Sequence, residues 1–130
     1  MFDIVQTGLL PSSAPVNGTV KAGDYITSVQ VPRDQTTGKT VDGGVTEQMT
    51  RTLENLKQAI AGGGATLADV YEVVIYLKRR SDFAGMNAVY VQYFPENFPS
   101  RATIIAEMVD EACLVEIVAR AHVGGKKGQS

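Results

Sequence analysis

The chain is poor in the residues that form disulfides and metal sites. Its 130 residues include one cysteine, Cys113, and one histidine, His122. A single cysteine excludes a disulfide within the chain, and a zinc site built from histidine and cysteine needs several such ligands. Nothing in the positions of Cys113 and His122 supports a nucleophilic pair, so Cys113 is interpreted as a turn or small core residue. We therefore expect no metal.

Positive charge is also scarce. The chain has 12 lysines and arginines against 14 aspartates and glutamates, a formal net charge of −2. A nucleic-acid-binding surface needs a basic excess or stripe, so no nucleic-acid partner is expected. No apolar run approaches the roughly 20 residues of a membrane span, and residues 1–4 lack the basic and apolar regions of a secretory signal. We expect a cytoplasmic protein that does not bind membranes.

Glycine is plentiful, but its placement does not indicate a cofactor site. The triplet at 62–64 follows a predicted helix instead of opening one, so it is interpreted as a helix stop and not as a phosphate cradle. The sequence contains neither a P-loop nor a dinucleotide fingerprint. No organic cofactor is expected.

Apolar spacing predicts two helices. The first has an apolar stripe at steps of four, four, three and four residues: Val45, Met49, Leu53, Leu56 and Ile60. The second is expected to begin with Ser81 as its N-cap and to end before Pro95. Its predicted stripe comprises Phe83, Met86, Tyr90 and the pair Tyr93/Phe94.

The remaining apolar segments predict strands. We expect a short edge strand within residues 1–10, a hairpin around residues 22–23, a central strand at 70–77 and two final strands. The order predicts an α+β fold, with both helices on one face of a mixed sheet. The segment at 70–77 is apolar on both faces, so the face without helices needs a partner subunit. This indicates an oligomer.

Each of the last two strands contains one charged residue. Arg101 begins the first, and its planar fork could hold a carboxylate through two parallel hydrogen bonds. Glu116 lies in the second, where burial would raise its pKa into the range of an acid–base catalyst. A structural salt bridge between the two, or two charges on a solvated rim, is the interpretation that spacing alone favours. If residues 110–113 form a hairpin turn, Glu116 can face the same side as Arg101.

Several stretches together resemble the YjgF/RidA family, the reactive-intermediate enamine/imine deaminases. The resemblance is collinear over residues 12–123, and its most specific part is the Pro-x-Arg element at 99–101 with Glu116 downstream. Further matching stretches lie at 26–32, 65–70 and 83–90. The resemblance implies a chorismate-mutase-like fold, a homotrimer and ligand sites in the clefts between subunits. It places one domain at 1–123, and residues 124–130 are expected to form a flexible tail.

The resemblance also implies the roles of individual residues. Arg101 would hold the substrate carboxylate, and Glu116 would activate the attacking water. Asn87 and Ser28 match cleft positions of the family, and Thr103 can still donate and accept a hydrogen bond where many members have cysteine. The implied activity is cofactor-independent hydrolysis of 2-enamino or 2-imino acids to a 2-keto acid and ammonia.

Three positions depart from the family pattern: Pro15, Val29 and Thr103. They favour a larger substrate, such as an aminomuconate-like acid, over 2-aminoacrylate. The alternative is a non-catalytic or regulatory trimer that binds small carboxylates. A ribonuclease activity, sometimes attached to this family, is disfavoured by the acidic composition.

Overall fold

The computed structural model describes residues 1–124 as six strands and two α-helices. The strands are β1 (Asp3–Ile4), β2 (Thr19–Ala22), β3 (Tyr25–Gln30), β4 (Val70–Leu77), β5 (Ser100–Ile105) and β6 (Val115–His122). The helices are α1 (Val45–Ala61) and α2 (Phe83–Tyr93). One short 3-10 turn precedes β4 and another precedes α2. The predicted tail at 124–130, apart from Gly124, lies outside the described residues.

The six strands form one mixed sheet in the order β1-β2-β3-β6-β4-β5. Strands β4 and β5 are parallel, and every other neighbouring pair is antiparallel. The expected α+β fold with a mixed sheet is confirmed. The hairpin considered between the last two strands does not form, because β4 lies between β5 and β6. The turn near residue 110 therefore belongs to a connection that passes over β4.

Both helices pack on the same face of this sheet. In α1 the predicted stripe is confirmed, with Met49, Leu53 and Leu56 fully buried. These side chains share one core cluster with alternate residues of the sheet strands and with Met86 of α2. Gly62 ends α1 against the N-terminal segment, where a Cβ atom would lie 2.4 Å from the backbone oxygen of Gln6. A larger residue at 62 would displace the segment of residues 5–6, which follows β1.

The start of α2 differs from the prediction. Ser81 lies inside the 3-10 turn Arg80–Asp82, and Asp82 is the residue that precedes the helix. Phe83 was expected in the buried stripe, but 46% of its surface is exposed. Met86 and Tyr90 do face the core. The first turn of α2 therefore extends past the core and presents Phe83 beside β5.

Among residues 1–124, no helix lies over the other face of the sheet. Side chains alternate along each strand, and on this face they are only partly buried or exposed. Ile4, Val29 and Ile104 all lie there and expose between 40% and 56% of their surface. The sequence predicted β4 to be covered on both sides, whereas one chain covers a single side. Within residues 1–124, neither helix is long and apolar enough to cross a membrane.

Candidate functional site

Arg101 lies on the helix side of the edge strand β5. It is paired with Val73 of β4, which is fully buried in the core, and paired residues of neighbouring strands point to the same face. Its guanidinium carbon is 4.7 Å from the centre of the Tyr90 ring and 5.9 Å from that of Phe83. These distances are typical of cation–π contacts. Two aromatic rings of α2 therefore position the charged group.

The guanidinium of Arg101 has no polar partner within residues 1–124. No carboxylate of the described chain lies within 4.0 Å of it, and it donates no hydrogen bond there. An arginine carries five N–H donors in a rigid fork. Its fork is therefore available to a carboxylate from outside the chain.

A cavity of about 320 Å³ adjoins this guanidinium. It is lined by Asn87, Tyr90, Val91, Phe98, Pro99 and Arg101. Asn87 lies three residues before Tyr90 and four before Val91, so all three share one side of α2. The segment Phe98–Pro99 leads into β5, which begins at Ser100, and it also lines the cavity. The lining thus combines one cation and one amide with a mainly apolar surface.

Glu116 lies on the opposite face of the sheet from Arg101. It is paired with Tyr76 of β4, whereas Arg101 is paired with Val73 of the same strand. The two partners are three residues apart, and the bulge of β4 lies before Val73, so they point to opposite faces. One chain therefore does not bring Arg101 and Glu116 together, and the salt bridge considered above does not form within it.

The carboxyl group of Glu116 is partly buried and has no polar partner. Within residues 1–124 it accepts no hydrogen bond and has no cation within 4.0 Å. Burial raises its pKa above the ordinary value, because the charged form loses hydration. Such a group is a candidate proton acceptor on the uncovered face.

The other predicted residues divide between these two places. Thr103 is paired with Ile75 and so lies on the same face as Arg101, two residues further along β5. Asn87 lines the cavity with Arg101. Val29 is paired with Val118 and shares the face of Glu116. These placements form two half-sites, one at the β5 edge and one on the uncovered face.

Ser28 belongs to neither half-site in the isolated chain. Its side chain is fully buried, its hydroxyl is 2.9 Å from that of Thr19, and it accepts a hydrogen bond of 2.9 Å from the Gln30 amide. It is not among the residues that line the cavity. A direct binding role for Ser28 stays a prediction.

Tyr90, Phe83 and the apolar lining were not predicted as parts of a site. Their spacing predicted both aromatic residues in the buried stripe of α2. One signal was present, because Tyr90 follows the predicted site residue Asn87 by three positions and therefore shares its side of the helix. Phe83 could not be identified this way, since its exposure depends on where α2 begins.

Tyr90 offers a test of this packing. Its hydroxyl is buried and has no hydrogen-bond partner among the described residues, and an unsatisfied buried polar group costs about 1–3 kcal/mol. We expect Tyr90→Phe to raise the free energy of unfolding by about 1 kcal/mol and to leave carboxylate affinity unchanged, because the ring under Arg101 is kept. Urea denaturation and calorimetry, each at one fixed protein concentration, measure the two quantities. A clear loss of stability would show that the hydroxyl has a partner in the assembled protein.

Neither Cys113 nor His122 lines the Arg101 cavity. Residues 1–124 contain no group of three or more histidine, cysteine, aspartate or glutamate side chains placed to hold a metal. Cys113 is buried beside the Thr40 hydroxyl, and burial raises the pKa of its thiol. His122 lies at the far end of β6, packed against Tyr25 at a ring distance of 4.9 Å.

Comparison with known proteins gives a consistent set of relatives. A family model described as endoribonuclease L-PSP matches residues 9–123. A RutC family protein of Pyrococcus horikoshii is 38% identical over 124 residues, covering 94% of this chain and 98% of the relative. The 3-aminoacrylate deaminase RutC of Acinetobacter baylyi is 31% identical over 122 residues, covering 92% of this chain and 96% of the relative.

A solved structure extends the likeness to three dimensions. The YjgF gene product of E. coli superimposes with a TM-score of 0.84 at 26% identity, covering 92% of this chain and 97% of that one. The two proteins therefore share one architecture, a six-stranded sheet with two helices. On the match over residues 9–123 and these relatives, the chain belongs to the YjgF/RidA family.

Proposed function

We propose that the chain is a cofactor-independent deaminase that hydrolyses 2-enamino or 2-imino acids to a 2-keto acid and ammonia. The observation that carries this proposal is the unpaired Arg101 guanidinium, which faces a cavity large enough for a small metabolite. Support comes from the family, which includes a relative named 3-aminoacrylate deaminase. Arg101 would bind the substrate carboxylate, and Asn87 and Thr103 would supply further hydrogen bonds.

Hydrolysis of the imine needs one basic group that first accepts a proton from water and later donates it to the amino nitrogen. The protonated imine carbon is electrophilic, and Glu116 takes a proton from water as the oxygen attacks that carbon. Glu116 then gives the proton to the amino nitrogen and the C–N bond breaks. As the keto group forms, the hydroxyl oxygen passes its proton to the Glu116 carboxylate, which transfers it to the departing ammonia. Ammonia leaves with its bonding electron pair. An enamine enters the same path after a proton is added to its β-carbon. No metal is needed at any step.

Because Arg101 and Glu116 lie on opposite faces of one sheet, we place the complete site between two copies of the chain. One copy contributes the β5 edge with Arg101, and the next contributes the uncovered face with Glu116. Such a head-to-tail contact closes as a ring, and the family resemblance implies three copies. The exposed apolar side chains of the uncovered face would be buried in the same contact.

The assembly is tested by mass in solution. We expect light scattering at micromolar concentration to give three times the mass of the chain. Val29→Glu would place a charge among the apolar side chains of the uncovered face and is expected to lower that mass. Val109→Glu, at a side chain that is fully exposed in a loop, is the matched control and should leave it unchanged. A wild-type protein of monomer mass would contradict the assembly.

The activity is tested by ammonia release from imino acids that an amino-acid oxidase generates in the assay. The proposal expects release faster than spontaneous hydrolysis, and it expects Glu116→Gln to return the rate to near the spontaneous one. A wild-type protein that binds keto acids but releases no ammonia across a broad panel would support the alternative, a carboxylate-binding trimer without turnover.

A further inference from the structure

The wall of the Arg101 cavity is apolar and exposed. Val91 exposes 46% of its surface and Phe98 exposes 64%, and both line the cavity together with Pro99. Exposed apolar side chains that meet at a cavity are typical of a ligand contact. Among the described residues, Arg101 is the one charged residue of this lining. The remaining polar side chains of the lining are the Asn87 amide and the buried Tyr90 hydroxyl.

We propose that Val91, Phe98 and Pro99 bind the substrate side chain, so that the enzyme prefers monocarboxylic imino acids with an aliphatic or aromatic side chain. This inference rests on the proposed function, because it uses the carboxylate clamp at Arg101 as its fixed point. A ligand held at Arg101 can extend along this surface, because Val91, Phe98 and Pro99 line the same cavity as Arg101. Three-carbon acids, such as the aminoacrylate named for one relative, are too short to use this surface.

The apolar lining also discriminates between ligands with one carboxylate and ligands with two. A dicarboxylic acid held at Arg101 would place its second carboxylate against Val91 and Phe98, and the lining has no second cation for it. Moving a carboxylate from water to an apolar surface without a partner costs free energy. The aminomuconate-like acid considered from the sequence carries two carboxylates and is therefore disfavoured by this lining.

The test uses the product keto acids as ligands in calorimetry. The wild type is expected to bind 4-methyl-2-oxovalerate about 10- to 50-fold more tightly than pyruvate, because three further carbons are buried. It should bind 2-oxoglutarate no more tightly than pyruvate. Phe98→Ala should remove most of the preference for the branched acid while leaving pyruvate affinity nearly unchanged.

A second variant is designed to bind a dicarboxylic acid more tightly. Val91→Lys adds a cation to the wall, and it is expected to raise 2-oxoglutarate affinity about tenfold through a charge-assisted hydrogen bond. Val109→Lys adds the same charge at an exposed loop position away from the cavity lining and should leave all three affinities unchanged.

The measurements distinguish a missing side-chain preference from a failure of the proposed function. Equal affinities for the short, branched and acidic ligands in the wild type would overturn the inference and leave the clamp intact. No binding of any keto acid would instead remove the proposed function itself. A change of mass by light scattering in Phe98→Ala, without a change in selectivity, would assign the wall to the contact between copies and overturn the inference.

Discussion

Replacing Glu116 by glutamine is expected to lower the rate of imine hydrolysis by about 100- to 10,000-fold, the usual contribution of general acid–base catalysis. Glutamine is nearly the same size and cannot take a proton from water. The Glu116 carboxylate has no hydrogen-bond partner or cation within residues 1–124, so its loss breaks no contact of the described chain. The mass in solution and the affinity for pyruvate should therefore stay close to those of the wild type.

The same replacement should change the pH profile. Burial raises the pKa of Glu116 above its ordinary value of 4.5. A base works only when deprotonated, so kcat should fall as the pH drops through this raised pKa. With substrate bound, the charge of Arg101 is balanced by the substrate carboxylate. Glu116→Gln should abolish this acidic limb in the residual activity.

A matched control and a contradicting result complete this test. Glu111→Gln makes the same chemical change at an exposed loop residue and should keep the full rate and the acidic limb. If Glu116→Gln kept the wild-type rate on a substrate that the wild type hydrolyses, Glu116 would have no place in the mechanism.

Arg101→Lys should weaken carboxylate binding even though the positive charge is kept. A lysine ammonium cannot make the two parallel hydrogen bonds of the guanidinium fork, and it stacks less well on the Tyr90 ring. We expect a loss of about 1.5–3 kcal/mol, the range for hydrogen bonds to charged groups. Calorimetry with pyruvate or 2-oxobutyrate measures it directly.

The control for Arg101→Lys is chosen by comparing the ion pairs of the two arginines. Arg101 has no ion pair within residues 1–124, so Arg101→Lys should not disturb the fold. Arg79 forms a surface ion pair with Asp82 at 3.3 Å, and Arg79→Lys is the matched control that should bind pyruvate as the wild type does. Unchanged dissociation constants in Arg101→Lys would contradict the clamp.

Much of the fold could be predicted from the sequence, because local periodicity decides it. The spacing in α1 identified that helix and its buried face, and the β-branched run identified β4 as a strand. The strand order could not be predicted in the same way. Consecutive strands often pair as hairpins, and that expectation joined β5 to β6. Parallel pairing of β5 with β4 instead depends on packing across the whole sheet, which local sequence does not report.

The candidate site, too, could be predicted only in part from local sequence. The sequence identified Arg101 and Glu116 as unusual charges in apolar strands, and both lack polar partners in the described chain. It could not place them relative to one another, because the face of each side chain depends on its register through β4. Ser28 and Val29 are sequence neighbours of opposite orientation. Alternation buries Ser28 under the helices and turns Val29 to the face of Glu116.

The most direct test of a site shared between copies is subunit mixing. Arg101→Ala and Glu116→Gln proteins, each nearly inactive alone, are unfolded together in equal amounts and refolded. If Arg101 of one copy works with Glu116 of the next, random assembly into rings should leave about one quarter of the sites with both native residues. The mixture should then recover about one quarter of the wild-type kcat/KM. Recovery no greater than that of the two variants refolded separately would contradict a site built from two copies.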